Sequence, residues 1–200
     1  MNTMDAKTYA TVTEVCRRLA GRLSDDILGT VRENYAAGEF DLADNTLLLS
    51  LAYYGVGITL EEQTLMRSFV GDPDGSDLAD VQLIAEVPAP PYRFSPIGPA
   101  DAPDPTPADT LLSADAPRRR GRSLHRAWRA PLDGAPDAAA WLYVLQVAEG
   151  TDELATYSGV MTQLWVALKQ KWPVEVLVGN SPRTPYQEAA LAGASAVWRA

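Results

Sequence analysis

The chain has 200 residues, 46% of them hydrophobic, which is enough to bury a core as one domain or as two small ones. Its net charge of −9 disfavours nucleic acids and anionic lipids as partners and favours a basic partner. No stretch approaches the roughly 20 apolar residues of a membrane helix, and residues 1–5 lack the pattern of a secretory signal. One cysteine, Cys16, excludes an internal disulfide, so we expect a cytoplasmic protein without a membrane segment. Arginine outnumbers lysine fourteen to three and alanine, glycine and proline are abundant, which indicates a GC-rich bacterial genome.

Four short helices are predicted in the first seventy residues. The first carries its apolar residues, Cys16 among them, on one face, so Cys16 is interpreted as a core residue. Ser24 starts the second helix and Gly38 ends it, because a hydroxyl suits an N-cap and glycine suits the left-handed residue after a helix. Asp41 is predicted to cap the third helix. Thr59 is predicted to cap the fourth in a capping box with the glutamate three residues later.

Two stretches of this helical region, 35–48 and 53–66, align with each other at a shift of 18 residues. The pattern from Tyr35 to Leu47 resembles the turn between the two helices of a tetratricopeptide repeat. The resemblance covers less than one repeat, and no second full repeat follows. It implies packed helical hairpins joined by short connections, which favour antiparallel neighbours.

Residues 71–91 are predicted to form an exposed connector rich in aspartate. A calcium loop is excluded, because Asp77 and Leu83 stand where an EF-hand requires glycine and glutamate. The aspartates are instead candidates for contact with a basic partner, because no core constrains them. These candidates are Asp72, Asp74, Asp77 and Asp80.

Residues 88–107 hold eight of the fifteen prolines, a density that excludes a regular helix or a central strand and predicts an extended strap. Residues 92–94 alternate and could form an edge strand. A cluster of arginines follows at residues 118–122, and Arg126 and Arg129 extend it. We call this cluster the arginine run. Three interpretations stay open: a clamp onto the acidic helical half, a protein or phosphate partner, and a nucleic-acid contact. The candidate binding residues here are Arg118, Arg119, Arg120, Arg122 and Trp128.

The remaining residues predict a small sheet with a β-α-β-α unit. Residues 123–129, 140–147 and 174–178 have the composition of strands, and the last two should pair in parallel across a helix over 158–172. A final helix is predicted from Pro185 to residue 198. Most of the five tryptophans, all in this part, are assigned to the core, and one or two to a partner surface.

The search for catalytic chemistry gives no catalytic residue, metal site or cofactor. His125 is the only histidine, and the chain has no nucleophile-elbow, Walker or dinucleotide motif. The paired carboxylates at 25–26, 61–62 and 152–153 lie at helix starts, where the helix dipole already accounts for them.

The sequence therefore predicts an α+β protein with a helical bundle at 1–70, a proline-rich connector with the arginine run at 71–122, and a small α/β unit at 123–200. All three could pack as one compact domain. The functional hypothesis is a non-enzymatic acidic module that binds protein, most concretely an inhibitor or immunity-type protein masking a toxin or enzyme. The alternatives are an enzyme or ligand binder with a pocket between the two halves, and a nucleic-acid-associated regulator that uses the arginine run.

Overall fold

The computed structural model describes residues 5–200 as α-helices and a five-stranded sheet, which confirms the α+β class. The chain divides into two compact units, Met1–Pro90 and Pro91–Ala200. The first is helical and the second contains the sheet, so residues 91–122 belong with the sheet. In the described part of the chain, no helix is both long enough and apolar enough to span a bilayer. Residues 1–4, which fall in the stretch predicted to carry no secretory signal, lie outside the described residues.

The helices of the N-terminal unit begin and end largely where their capping residues predict. The Ser24 hydroxyl accepts from a backbone N–H in the first turn of α2, and Gly38 ends α2 at φ +81°, a conformation that glycine adopts without strain. The prediction for Asp41 was wrong, because α3 already starts at Phe40 and Asp41 lies within its first turn. The helices are α1 (Ala6–Leu19), α2 (Asp25–Ala37), α3 (Phe40–Tyr53), α4 (Leu60–Arg67) and α5 (Ser76–Ala79).

The core of this unit forms where α2 packs on α3 and α1 packs on α4. Cys16 is 1% exposed and belongs to this core, as predicted. The segment after α5 returns to the α3–α4 connection, where the Ile58 N–H donates to the Gln82 carbonyl at 2.8 Å. The side chains with the least exposure include Val12, Leu19, Val31, Leu47, Leu51, Ile58 and Met66.

Glu62 connects the start of α4 to α1. The predicted capping box is present: the Thr59 hydroxyl accepts from the Glu62 N–H at 3.2 Å, and the Thr59 N–H donates to the Glu62 carboxylate at 2.8 Å. The same carboxylate accepts from Arg22 Nη1 at 2.6 Å, and the Arg22 guanidinium also donates to the Gly57 carbonyl. Both side chains are buried, so each needs the other to offset its lost hydration.

Replacing Glu62 with alanine should lower the free energy of unfolding by about 3 kcal/mol, because it leaves the Arg22 cation buried without a counter-charge. Glu62→Gln should lose less, since its amide oxygen can still accept from Thr59. Glu61 is the matched control: it lies in the same turn but is largely exposed, so Glu61→Ala should have little effect. Urea unfolding of the three variants checks this, and equal losses at 61 and 62 would contradict it.

The sheet of the C-terminal unit has five strands: β1 (Tyr92–Ser95), β2 (Gly121–Pro131), β3 (Ala140–Val147), β4 (Val174–Val178) and β5 (Ser195–Arg199). It is organised around the long strand β2, which pairs antiparallel with β3 along one edge. Along its other edge β2 pairs with β5 through its first half and with β1 through its second half, both antiparallel. The strands β3 and β4 pair in parallel, as predicted.

Helices cover the two faces of this sheet. One face forms the apolar core with α6 (Thr106–Asp115) and α7 (Glu153–Leu168), and it includes Trp128 and Trp141. The other face carries buried polar groups beneath α8 (Pro185–Ala192). There Arg129 donates to the Tyr186 hydroxyl at 3.0 Å. Gln187 of α8 donates to the Glu175 carboxylate at 2.8 Å.

Three predicted elements differ from the structure. The final helix ends at Gly193, and the residues predicted to continue it form β5, because their alternation pairs them with β2. The helix α7 starts and ends earlier than predicted, since Asp152 caps it and Lys169 ends it in a left-handed conformation. The strap contains the start of α6: Pro105 is its N-cap residue and Pro107 lies in its first turn, where no intrahelical donor is needed. The predicted edge strand in the strap is β1.

Candidate partner-binding site

An acidic cleft of about 380 Å³ opens in the N-terminal unit. One wall is a single face of α3, because Asp41, Asp44, Asn45 and Leu48 follow a 3-1-3 spacing. The opposite wall is the segment that leads into α5. Its lining residues are Val70, Gly71, Asp72, Gly75, Ser76 and Asp77. Four carboxylates thus surround a space that is large enough for a partner's side chain.

Asp44 lies between the cleft and the core, and its position is fixed by two hydrogen bonds. Its carboxylate accepts from the Tyr35 hydroxyl at 2.6 Å and from the Gly71 N–H at 3.0 Å. Burial raises the pKa of Asp44 above its usual value, although both donors act in the opposite direction. Burial, and then the charge of Asp44, raises the pKa of Tyr35. The hydrogen bonds therefore connect α2, α3 and the opposite wall.

Tyr35→Phe should lower the free energy of unfolding by about 1–3 kcal/mol near pH 7, because one oxygen of the buried carboxylate loses its donor. The stability that Asp44 contributes is full below its unfolded pKa of 3.8 and is lost as the pH rises through its higher folded pKa. Removing the donor raises the folded pKa further. The loss should therefore be larger near pH 7 than near pH 4.

Urea unfolding at the two pH values measures this difference. Tyr53→Phe is the control, because the Tyr53 side chain is 82% exposed. A loss for Tyr35→Phe that is the same at both pH values would show that the hydroxyl does not stabilise a charged Asp44.

The structure separates the four aspartates predicted to bind a partner into two pairs. All four are exposed. Asp72 and Asp77 line the cleft. Asp74 forms an ion pair with Arg67 at 3.5 Å, and Asp80 ends α5. Within residues 5–200, no three carboxylate, histidine or cysteine side chains are arranged to hold a metal ion.

The sequence did not reveal the contribution of α3 to this site. Asp41 was interpreted as a helix cap, and Asp44 was not singled out. The spacing of Asp41 and Asp44 with Asn45 and Leu48 places all four on one face of α3. That face becomes a wall of the cleft only because the segment after α4 folds back opposite it.

Two members of the arginine run are held by carboxylates of α6. Arg119 pairs with Asp115, and its guanidinium lies so close to Gly159 of α7 that a Cβ at this position would collide with it. Arg126 pairs with Asp109 and lies over the Trp141 ring, 4.6 Å from its centroid. Both carboxylates belong to the C-terminal unit. These two pairs therefore correct the predicted clamp, which would have used the acidic N-terminal helices as its counterpart.

The other predicted residues of this region differ in how much surface they offer. Arg120 donates to the carbonyls of Glu149 and Gly150, at 3.1 and 3.2 Å, and so holds the loop after β3. Arg118 and Arg122 are exposed. Trp128 is buried edge-to-face against a second tryptophan, with 5.2 Å between the ring centroids, and has little surface left for a partner. Among the tryptophans, Trp165 is the exposed one, at 53%.

His125 lies beside a serine, but the hydrogen bonds of this serine do not suit nucleophilic catalysis. The Ser123 hydroxyl donates to the Gln146 side chain at 2.6 Å and lies 3.1 Å from His125 Nε2. A nucleophilic serine must donate its hydroxyl proton to the general base, whereas the Ser123 hydroxyl donates to Gln146. Burial, followed by the charges of Arg199 and Arg183, lowers the pKa of His125, which favours the neutral ring.

Comparison of the chain with protein-family models, curated proteins and solved structures gives no match. The function is therefore argued from the chemistry of the chain itself.

Proposed function

We propose that this protein is a non-enzymatic binding module whose acidic N-terminal unit recognises a basic surface of another protein. In its most concrete form it is an inhibitor or immunity-type protein that masks a toxin or an enzyme in the bacterial cytoplasm. The single buried cysteine and the lack of a spanning helix in residues 5–200 agree with this compartment.

The observation that carries the proposal is the segregation of charge between the two units. Residues 1–90 hold six basic and fifteen acidic side chains, so the whole net charge of −9 belongs to this unit. Residues 91–200 hold eleven of each and are neutral. On the surface of residues 5–90, eleven acidic and two basic side chains are exposed. A field of one sign attracts an oppositely charged partner and raises its rate of encounter.

Ion pairs inside the N-terminal unit engage most of its few cations, and because each pair cancels one charge of either sign, the net charge of −9 is unchanged. Each arginine between residues 5 and 90 already contacts a carboxylate or a carbonyl. The pairs are Arg17 with Glu14, Arg18 with Glu14 and Glu61, Arg22 with Glu62, Arg32 with the Cys16 carbonyl, and Arg67 with Asp74. Exposed acidic side chains still outnumber exposed basic ones by eleven to two in residues 5–90, and this excess attracts a basic partner.

Two observations favour a protein-binding module over an enzyme and over a nucleic-acid-associated regulator. The hydrogen bonds around His125 do not make Ser123 a nucleophile, which weakens the enzyme hypothesis. The neutral C-terminal unit and the ion pairs of Arg119 and Arg126 weaken the nucleic-acid hypothesis, since fewer free cations remain to contact phosphates.

Capture of a protein partner from the native host by the tagged full-length chain, followed by association kinetics, tests the proposal. Substituting both Asp72 and Asp77 with lysine should slow association by about tenfold at low salt, because the charges that attract the partner are reversed. The two rates should converge near 0.5 M salt, where screening is strong.

The matched control is a charge reversal at Asp101, which is exposed on the neutral unit and should leave the association rate unchanged. Equal rates for wild type and the double variant at low salt would contradict the acidic-surface proposal. If the chain captures no protein and the purified protein converts a small molecule, the enzyme hypothesis replaces it.

A further inference from the structure

Three large apolar side chains lie uncovered on the outer side of α3. Leu42, Leu49 and Tyr53 lie at a spacing of seven and four residues, so they share one side of the helix. The polar Asn45 and Thr46 occupy the turn between Leu42 and Leu49. The three apolar side chains are 55%, 57% and 82% exposed, whereas the helix buries its opposite side through residues such as Leu47 and Leu51. Exposed large apolar side chains that share one side of a helix mark a surface for contact.

Aromatic side chains extend this face at the end of α3. Tyr53 and Tyr54 contact each other edge to face, with 4.9 Å between the ring centroids, and both are largely exposed. Tyrosine provides a large contact area for little loss of conformational entropy and is enriched where binding energy concentrates. We call Leu42, Leu49, Tyr53 and Tyr54 together the outer face.

The charges beside the outer face determine which occupant fits it. Glu39 and Asp41 are exposed at the start of α3, and Asp41 also belongs to the acidic cleft. Between residues 25 and 53 the one basic side chain is Arg32, which is buried. An apolar strip with acidic neighbours and no exposed cation is complementary to an apolar segment that carries lysine or arginine.

We infer that the outer face of α3 docks an amphipathic helix of the partner protein, whose apolar stripe packs on Leu49 and Tyr53 and whose flanking lysine or arginine side chains reach the cleft. From Leu42 to Tyr53 the outer face extends about 16 Å along the helix axis, which is three turns of helix. A partner helix with the same spacing of apolar residues would contact the outer face along this length. The inference rests on the proposed function and specifies the partner's chemistry.

The same charges argue against two other occupants. A second copy of this chain would bring the same acidic residues, Glu39 and Asp41, towards each other, and like charges repel. An anionic lipid surface is repelled for the same reason.

Thiol footprinting of the full-length protein tests the inference. The native Cys16 is 1% exposed and therefore reacts slowly, so Leu49→Cys introduces one reactive thiol on the outer face. The probe is a synthetic helical peptide of about 18 residues, five turns, with leucines on one side and lysines on the other. A second peptide with glutamate in place of lysine controls for charge. Val166→Cys, on the exposed side of α7 in the neutral unit, is the matched control site.

The lysine peptide should slow maleimide modification of the thiol at position 49 at least about tenfold, as expected for a central contact, and leave the thiol at position 166 unaffected. The glutamate peptide should protect neither site. Tyr53→Cys repeats the measurement at a second position and should show the same protection.

Equal protection at 49 and 166, or protection at neither, would overturn the inference. A thiol at 49 that is as unreactive as Cys16 without peptide would also overturn it, because the face would then be covered already. The captured partner separates this inference from the proposed function. A partner that binds without protecting position 49 retains the function and overturns the docking face. Failure to capture any protein partner overturns the proposed function, and with it the assignment of the docked helix to a partner, even if the peptide protects position 49.

Discussion

The pairing of arginines with carboxylates inside each unit is the constraint on which both the fold and the surface charge depend. In the N-terminal unit Arg22 and Glu62 are buried together, and neither could be buried alone without a large loss of hydration energy. In the C-terminal unit Arg119 and Arg126 hold α6 through Asp115 and Asp109. The pairs give the buried carboxylates of Glu62 and Asp115 a counter-charge. On the surface of the N-terminal unit acidic side chains outnumber basic ones, whereas on the C-terminal unit the two are nearly equal in number.

Much of the fold could be predicted because local chemistry determines it. The bounds of β3 and β4 follow from short apolar runs between turn residues, and the start of α4 follows from the capping box of Thr59. The errors arose at residues whose secondary structure depends on contacts with distant parts of the chain. Residues 195–199 continue the apolar spacing of α8, yet they form β5 because an open edge of β2 accepts them. The start of α6 was missed because a high density of prolines normally excludes a helix, whereas Pro105 and Pro107 occupy positions that tolerate it.

The candidate site was less predictable than the fold. The exposure of Asp72 and Asp77 could be expected from their turn-rich segment, but the cleft they line needs α3, which is distant from them in sequence. The apolar outer face was missed because exposed and buried apolar residues of one helix look alike in sequence. Of the tryptophans expected at a partner surface, Trp128 belongs to the core and Trp165 is exposed. The exposed aromatic pair of the N-terminal unit, Tyr53 with Tyr54, was not predicted.

The central claim is that the N-terminal unit binds the partner while the C-terminal unit does not. Titration of isotope-labelled full-length protein with a captured partner, followed by residue-resolved NMR, tests it most directly. We predict that chemical-shift changes and line broadening concentrate in residues 39–54 and 71–77, the outer face of α3 and the two walls of the cleft. Changes confined to the sheet or to the arginine run at 118–122 would contradict the account, because they would assign binding to the neutral unit.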